Sequence, residues 1–388
     1  MIKNLCIFGS TGSIGQTTLR VVRAHRERFG VSVLVAKSRG DLLLEQAREF
    51  SPKVCVLTDQ QAAVKYCAKF NELGVELLAE EEALPFIVSL KEVDTVVCAM
   101  NGVAGLVPLE AALASRKDVA FANKEALVAG GDYIMRLASN SGARFTPIDS
   151  EHSALYQCMF AGARGDLQGV TITASGGPFL FTAPEAMERA KLDDVLAHPV
   201  WNMGRVVTVN SATMMNKALE VIEAHFLFGL PAEQIKVLVH PQGIIHGMAH
   251  FTDGSTIAQM AQPDMAVPVQ YALCAPDRPQ GIVEAPDLAA IGRLEFMPLD
   301  DARFPLLKLG YEALQGAWWE PIALNAVNEI AVNKFLQGNM SYGSLVETIQ
   351  SAFAGRYAAA NGAGLPDNPR ALADILEADT IFRRLVKP

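Results

Sequence analysis

Over its first 150 residues the chain alternates short apolar runs with stretches of helical period, and this alternation constrains the fold more than any other feature. "NLCIFG", "VSVLVA", "KVCVL", "DTVVCAM" and "DVAFA" read as strands, and "GQTTLRVVRAHRERF", "DLLLEQAREF" and "LVPLEAALASR" as helices. Strands separated by helices predict an α/β fold with a parallel sheet covered on both faces. After about residue 150 the pattern changes. "LQGVTITASGG" and "QIKVLVHPQ" predict strands with long insertions, and "IIHGMAHFTDGSTIAQM" a hairpin turning at Asp253-Gly254. This is a second, α+β domain. Seven of the 20 prolines fall between Pro263 and Pro305, a density that predicts extended linker. Four helical patterns follow, "PLLKLGYEALQ", "PIALNAVNEIAVNKFLQ", "SYGSLVETIQSAFAGRYAA" and "PRALADILEADTIFRRLV", and predict a small helical C-terminal domain. The 388 residues suffice for two or three domains. The expected boundaries are 1–149, 150–275, a proline-rich linker over 276–305, and 306–388.

The formal charge of -9 argues against nucleic acid as the main partner and leaves room for a local basic pocket that takes a small anion. The six cysteines include no C-x-x-C pair and lie mostly in apolar runs, so they read as buried free thiols of a reducing compartment. "MIKNLCIFGS" enters a strand at once and leaves no room for a signal peptide. No apolar run approaches the ~20 residues that span a bilayer. The expectation is a cytoplasmic protein with no membrane partner.

"CIFGSTGSIGQTTL" sets Gly9, Gly12 and Gly15 at three-residue intervals between a strand and a helix. Glycines there let backbone approach a pyrophosphate at the helix N-terminus. The alternative is a tight turn without a ligand, and the βαβ context favours a nucleotide. The second strand ends in Lys37-Ser38-Arg39 where an NAD site usually carries an acid. These residues suit a 2′-phosphate and so NADP, or they form a solvated basic loop.

"FTPIDSEHSALYQ" places Asp149 and Glu151 on either side of Ser150. In an extended segment residues i and i+2 point to one side, so the two acids repel unless a metal, a shared proton or solvent offsets them. A third acid stands in "NSATMMNKALEVIEAH": on a helix, Asn216, Lys217 and Glu220 share a face, with Ser211 near its start as a cap or anion donor. Two carboxylates from a turn and one from a helix form a hard oxygen set that suits Mg²⁺ or Mn²⁺, though acids near turns are often only solvated surface. "TASGGPF" puts Ser175 and two glycines after a strand, as an anion loop or as a plain turn. "HPVWNMGR" carries His198, Trp201, Met203 and Gly204, as a lid over a ligand or as core plugs. "FANKEALV" ends a strand with Asn123, Lys124 and Glu125, where α/β sheets border their ligand crevice.

"GSTGSIG", "ANKEALV", "PIDSEHSA", "ASGGPF", "HPVWNMGRVVTVNSATMMNKALEVIEAHFLFG", "VHPQGIIHGM", "DGSTIAQMAQPDM" and "NAVNEIAV" occur in that order. Together they make the whole chain closely resemble the 1-deoxy-D-xylulose 5-phosphate reductoisomerases of non-mevalonate isoprenoid synthesis. The resemblance implies a Rossmann-like NADPH domain, a central catalytic domain and a C-terminal helical bundle, assembled as a homodimer. It implies that Asp149, Glu151 and Glu220 bind one divalent cation. Ser175, Ser211, Asn216 and Lys217 then hold the substrate phosphate and nearby hydroxyls, with Ser150 and Lys124 contacting substrate beside the metal. His198 and Trp201 belong to a mobile lid, and Met203 lies near the nicotinamide. Thr11, Gly12, Ser13 and Ile14, after Gly9, match the pyrophosphate turn, and Asn123, Glu125 and Gly204 match further NADPH contacts.

The implied chemistry is rearrangement of a ketose phosphate by retro-aldol cleavage and aldol recombination, with a cation as Lewis acid, followed by reduction by NADPH to 2-C-methyl-D-erythritol 4-phosphate. Phosphate binding helps close the lid, which keeps water from reactive fragments. The chain departs from the family pattern at Lys37-Ser38-Arg39, at Gly243 and Gly247 where serines are common, and at Ala266 where Arg is common. None of these removes a metal or phosphate ligand. Rival readings are another metal-dependent NADP oxidoreductase, which needs basic residues for a substrate carboxylate, and a non-catalytic NADP-binding regulator.

Overall fold

A computed structural model describes residues 2–197, 200, 201, 203–338 and 340–386. The chain divides into two compact units. The first runs to Ala126, resumes over Ile134–Ser153 and closes with Asp264–Glu284. The second takes Leu127–Tyr133, Ala154–Pro263 and the chain from Ala285 onward.

The first unit is built on β1 (Lys3–Phe8), β2 (Phe29–Ala36), β3 (Val54–Leu57), β4 (Glu76–Ala79), β5 (Thr95–Cys98), β6 (Asp118–Phe121) and β7 (Phe145–Pro147). All pair in parallel, in the order β4-β3-β2-β1-β5-β6-β7. The continuous apolar runs of β1, β3 and β5 are buried on both faces, as a doubly covered parallel sheet requires. β4 and β7 are short edge strands that the sequence pattern did not predict; "ELLA" and "FTP" carry neither alternation nor a sustained apolar run. The strand order reverses at β1 and β5, so the carboxyl ends of these two strands mark the topological switch point.

Within the proline-rich run, Ala266–Cys274 is a helix rather than extended chain, and it packs on helix Ser13–Ala24 in the first unit. Pro268 sits in its first turn, where backbone N–H groups have no intrahelical acceptor to lose.

The second unit holds a four-stranded sheet of β8 (Leu167–Ala174), β9 (Ile235–Val239), β10 (Ile245–Phe251) and β11 (Thr256–Met260), in the order β11-β10-β8-β9. β10 and β11 are the expected hairpin, turning through Gly254 at φ 85°. The four C-terminal helical patterns become five helices: Leu307–Ala313, Glu320–Leu336, Tyr342–Ala354, Arg356–Ala363 and Leu372–Arg383. The third pattern breaks at Gly355. Helix Glu320–Leu336 is central, packed by helices Leu307–Ala313, Tyr342–Ala354 and Leu372–Arg383. It starts from a buried ion pair in which the Arg356 Nε donates to Glu320 Oε2 at 2.7 Å, with the Tyr357 hydroxyl on Oε1 at 2.9 Å. Pairing offsets the desolvation of two buried charges.

Five cysteines are buried free thiols as expected, but Cys67 is exposed. It lies on helix Gln60–Glu72, whose inward face is carried by Ala62, Ala63 and Phe70 instead. Among the described residues no helix is long and apolar enough to cross a membrane.

Candidate active site

β1 delivers its carboxyl end into Gly9-Ser10-Thr11-Gly12, and helix Ser13–Ala24 begins at once. Gly12 provides no side chain to cap the helix, so its first N–H groups are open to an anion. The turn has no room for larger residues. Gly9 has φ 72°, and a Cβ there would lie 2.4 Å from the Ala99 carbonyl oxygen after β5. A Cβ on Gly15 would lie 2.3 Å from the Gly9 oxygen, so the helix packs directly onto the turn. Two side chains from the next βα unit hold the turn. Arg39 Nη1 donates to the Thr11 carbonyl at 2.9 Å, and the buried Gln46 Nε2 donates to the Ser10 carbonyl at 2.9 Å. Lys37, Ser38 and Arg39 are exposed at the end of β2, with Arg39 tied to the glycine turn. Thr11, Gly12, Ser13 and Ile14 therefore stand beside the basic triplet at one edge of the sheet.

The same sheet edge carries the other first-unit candidates, because all the strands are parallel. Asn123 follows β6 and is buried; its Oδ1 accepts from the Ala126 N–H at 3.1 Å and its Nδ2 donates to the Gly102 carbonyl at 2.9 Å. It caps the helix beginning at Lys124. Glu125 is half-buried in that helix's first turn. Lys124 is buried, with its Nζ 2.6 Å from Asp149 Oδ2. Asp149, Ser150 and Glu151 follow β7, and here the expectation of an extended segment is corrected. A helix spans Ser150–Cys158, with Asp149 just before it and Glu151 in its first turn. Acids are favoured at this end because the helix N-terminus is positive. Asp149 Oδ1 accepts from the Ser150 N–H at 3.1 Å, and the Ser150 hydroxyl donates to Glu151 Oε2. The pair is thus offset by a lysine, a hydroxyl and a helix end, while remaining a set of hard oxygen donors.

In the second unit Ser175, Gly176 and Gly177 leave β8 with both glycines in the left-handed region. A Cβ on Gly177 would lie 3.0 Å from the Ser211 carbonyl oxygen, so this turn and the Ser211 turn meet backbone to backbone. Ser211 does not start the helix that bears Asn216, as the sequence suggested. Helix Arg205–Ala212 ends one residue past it, Met214 takes φ 58°, and a new helix runs Met215–Phe228. Ser211 therefore lies in the last turn of the earlier helix. On the second helix the predicted face forms. Lys217 Nζ lies 2.5 Å from Glu220 Oε2 and donates to the Thr173 carbonyl at 2.6 Å, and Asn216 Nδ2 donates to Glu220 Oε1. Lys217 and Glu220 are 4% and 1% exposed, so two charges are held inside the protein beside the Ser175 strand. Such burial is costly, and the pairing and hydrogen bonds offset that cost.

Trp201, Met203 and Gly204 lie between helices Leu192–Val195 and Arg205–Ala212, in a loop as expected. Trp201 is half-buried with its ring 5.9 Å from that of His246, and Gly204 precedes a second helix start without a side-chain cap. His198 lies outside the described residues.

Three family models match the chain: 1-deoxy-D-xylulose 5-phosphate reductoisomerase over residues 5–131, the C-terminal domain of the same enzyme over 145–228, and the DXP reductoisomerase C-terminal domain over 260–385. The curated 1-deoxy-D-xylulose 5-phosphate reductoisomerase of Paraburkholderia phytofirmans is 43% identical over 391 residues, covering 99% of this chain and 95% of its own. The chain belongs to the 1-deoxy-D-xylulose 5-phosphate reductoisomerase family. A similar solved structure is a DOX-P reductoisomerase in complex with NADPH, fosmidomycin and magnesium, with TM-score 0.92, 36% identity and coverage of 99% of this chain and 97% of that one. Another is the Zymomonas mobilis reductoisomerase in complex with NADPH, at TM-score 0.90, 32% identity and coverage of 100% and 98%.

Sequence patterns missed one reductoisomerase residue that holds the glycine turn. Gln46 shares the buried face of helix Gly40–Phe50 with Leu43 and Ala47. A lone amide among apolar positions of an amphipathic helix is the signal that marks it.

Proposed function

We propose that this chain converts 1-deoxy-D-xylulose 5-phosphate to 2-C-methyl-D-erythritol 4-phosphate, using NADPH and a divalent metal ion. The observation that carries the proposal is the buried Lys217–Glu220 pair with Asn216, set against the Ser175 strand. Charge is kept in the interior where a substrate phosphate and a cation would need it. The donors fit the cation: Asp149, Glu151 and Glu220 offer carboxylate oxygens suited to Mg²⁺ or Mn²⁺ and no soft ligand. When bound, the ion supplies Lewis-acid polarisation of the substrate carbonyl.

The protein's own groups then divide the remaining work. Ser175, Ser211, Asn216 and Lys217 grip the phosphate, and that remote binding energy is available to close the loop bearing Trp201 and Met203, with His198 assigned to substrate as well. Lys124 neutralises Asp149 and, with Ser150, orients the sugar oxygens. Gly9, Thr11, Gly12, Ser13 and Ile14 present backbone to the NADPH pyrophosphate, with Asn123, Glu125 and Gly204 as further contacts. Lys37, Ser38 and Arg39 receive the 2′-phosphate.

We further assign a homodimer in the cytoplasm. β11 is an edge strand whose Ile257 and Met260 are each 40% exposed, a surface suited to a second copy, and the buried free thiols suit a reducing compartment. Product analysis by NMR tests the activity. The protein with NADPH, Mg²⁺ and 1-deoxy-D-xylulose 5-phosphate is expected to form 2-C-methyl-D-erythritol 4-phosphate. Unchanged substrate, or reduction without rearrangement of the carbon skeleton, would contradict the assignment.

A further inference from the structure

The Ser175–Gly177 turn and the Ser211 turn carry side chains assigned above to the substrate phosphate, and both lead into segments held by one residue of the C-terminal helices. Tyr342 begins helix Tyr342–Ala354 and is 4% exposed. Its hydroxyl donates to the Ala212 carbonyl at 3.1 Å. Ala212 ends helix Arg205–Ala212, and the last carbonyls of a helix have no intrahelical donor, so this bond anchors the turn that contains Ser211. The Tyr342 ring meets Phe179 edge-on at 4.9 Å, and Phe179 lies two residues beyond Gly177. One side chain thus touches the exit of both turns. Tyr342 is itself fixed, because its N–H donates to the Ala190 carbonyl at 3.0 Å. A second bond holds the same helix: Asn328 Nδ2 donates to Asn210 Oδ1 at 3.1 Å, between two buried amides.

We propose that Tyr342 is a positioning residue for the phosphate cradle, holding the Ser175–Gly177 and Ser211 turns in register, with Asn328 as its second anchor. The inference rests on the phosphate role given above to Ser175 and Ser211. Burial raises the Tyr342 hydroxyl far above its ordinary value, so it stays a donor throughout the working pH range.

The test compares Tyr342→Phe, Asn328→Ala and Ile349→Val with the wild type. Ile349 is buried on the same helix, seven residues beyond Tyr342, and controls for simple loss of stability. Removing one hydrogen bond that orders the cradle is expected to weaken phosphate affinity about 3- to 10-fold. Both Tyr342→Phe and Asn328→Ala should raise KM for the phosphorylated ketose and Kd for inorganic phosphate by that factor. Their kcat should change less than about twofold and their NADPH Kd should not move. Ile349→Val should shift Tm alone. If the conservative Tyr342→Phe leaves KM and phosphate Kd at wild-type values, or if Ile349→Val moves them equally, the inference is wrong. If Tyr342→Phe does not fold, Asn328→Ala decides in the same way. Absence of turnover in the wild type would instead refute the assigned reaction, and calorimetric titration with inorganic phosphate would still decide the positioning role.

Discussion

The two regions assigned above to anion binding are built in opposite ways. The glycine turn of the first unit offers backbone: an uncapped helix end and a positive-φ Gly9 packed against the Ala99 carbonyl. The cradle of the second unit offers side chains, with buried Lys217 and Glu220 and half-buried Asn216 locked together on one helix face. Backbone donors bring no net charge, so they can stand open to solvent at little cost. Buried ammonium and carboxylate groups must be paired, so that region is built as a network. Substitutions should therefore act locally and sterically in the first region, and electrostatically in the second.

The largest effect is expected from Glu220→Gln. Turnover should fall by about 10³-fold, while NADPH binding, followed by fluorescence titration, stays at the wild-type value. A parallel loss of NADPH affinity would break the division between regions. Gly15→Val attacks the other side. Its Cβ has 2.3 Å to the Gly9 oxygen, so the turn must open, and NADPH affinity should drop about 10²-fold with phosphate binding intact. Arg39→Gln sharpens the comparison within the nucleotide region: loss of a charge-assisted contact should weaken NADPH about tenfold, and NADH less, because NADH binding feels only the lost hold on the Thr11 carbonyl. The smallest effect concerns thiols. Burial pushes Cys55 and Cys98 up to about 12, so each remains protonated in the folded state below that pH. At about pH 8 a maleimide should label Cys67 in the native protein and spare these two, as mass spectrometry of peptides would reveal.

How far each region could be read from sequence follows from the same contrast. Backbone turns announce themselves by local spacing: Gly9, Gly12 and Gly15 after an apolar strand marked the tight turn, and the βαβ context favoured a nucleotide there. The parallel strands were legible because burial on both faces demands continuous apolar runs. β4 and β7 escaped because edge strands of four and three residues need no such run. The Asp149–Glu151 segment looked extended because "DSEH" precedes any apolar period, yet Asp before a helix and Glu in its first turn are an N-terminal signature that was present to be read. The break at Thr213–Met214 had no local sign: a methionine at φ 58° replaces the glycine or asparagine usual there. The cradle was half legible. Helical spacing joined Asn216, Lys217 and Glu220, but the approach of Gly177 to Ser211 spans distant chain and exists only in the folded unit.

The most direct test of the account is NADPH oxidation with 1-deoxy-D-xylulose 5-phosphate present, measured as Mg²⁺ is removed by a chelator and then restored. Oxidation is expected to stop on chelation, to return with Mg²⁺ and not to occur without the ketose phosphate. Oxidation that persists in excess chelator, or that never begins in protein shown to bind NADPH, would contradict it.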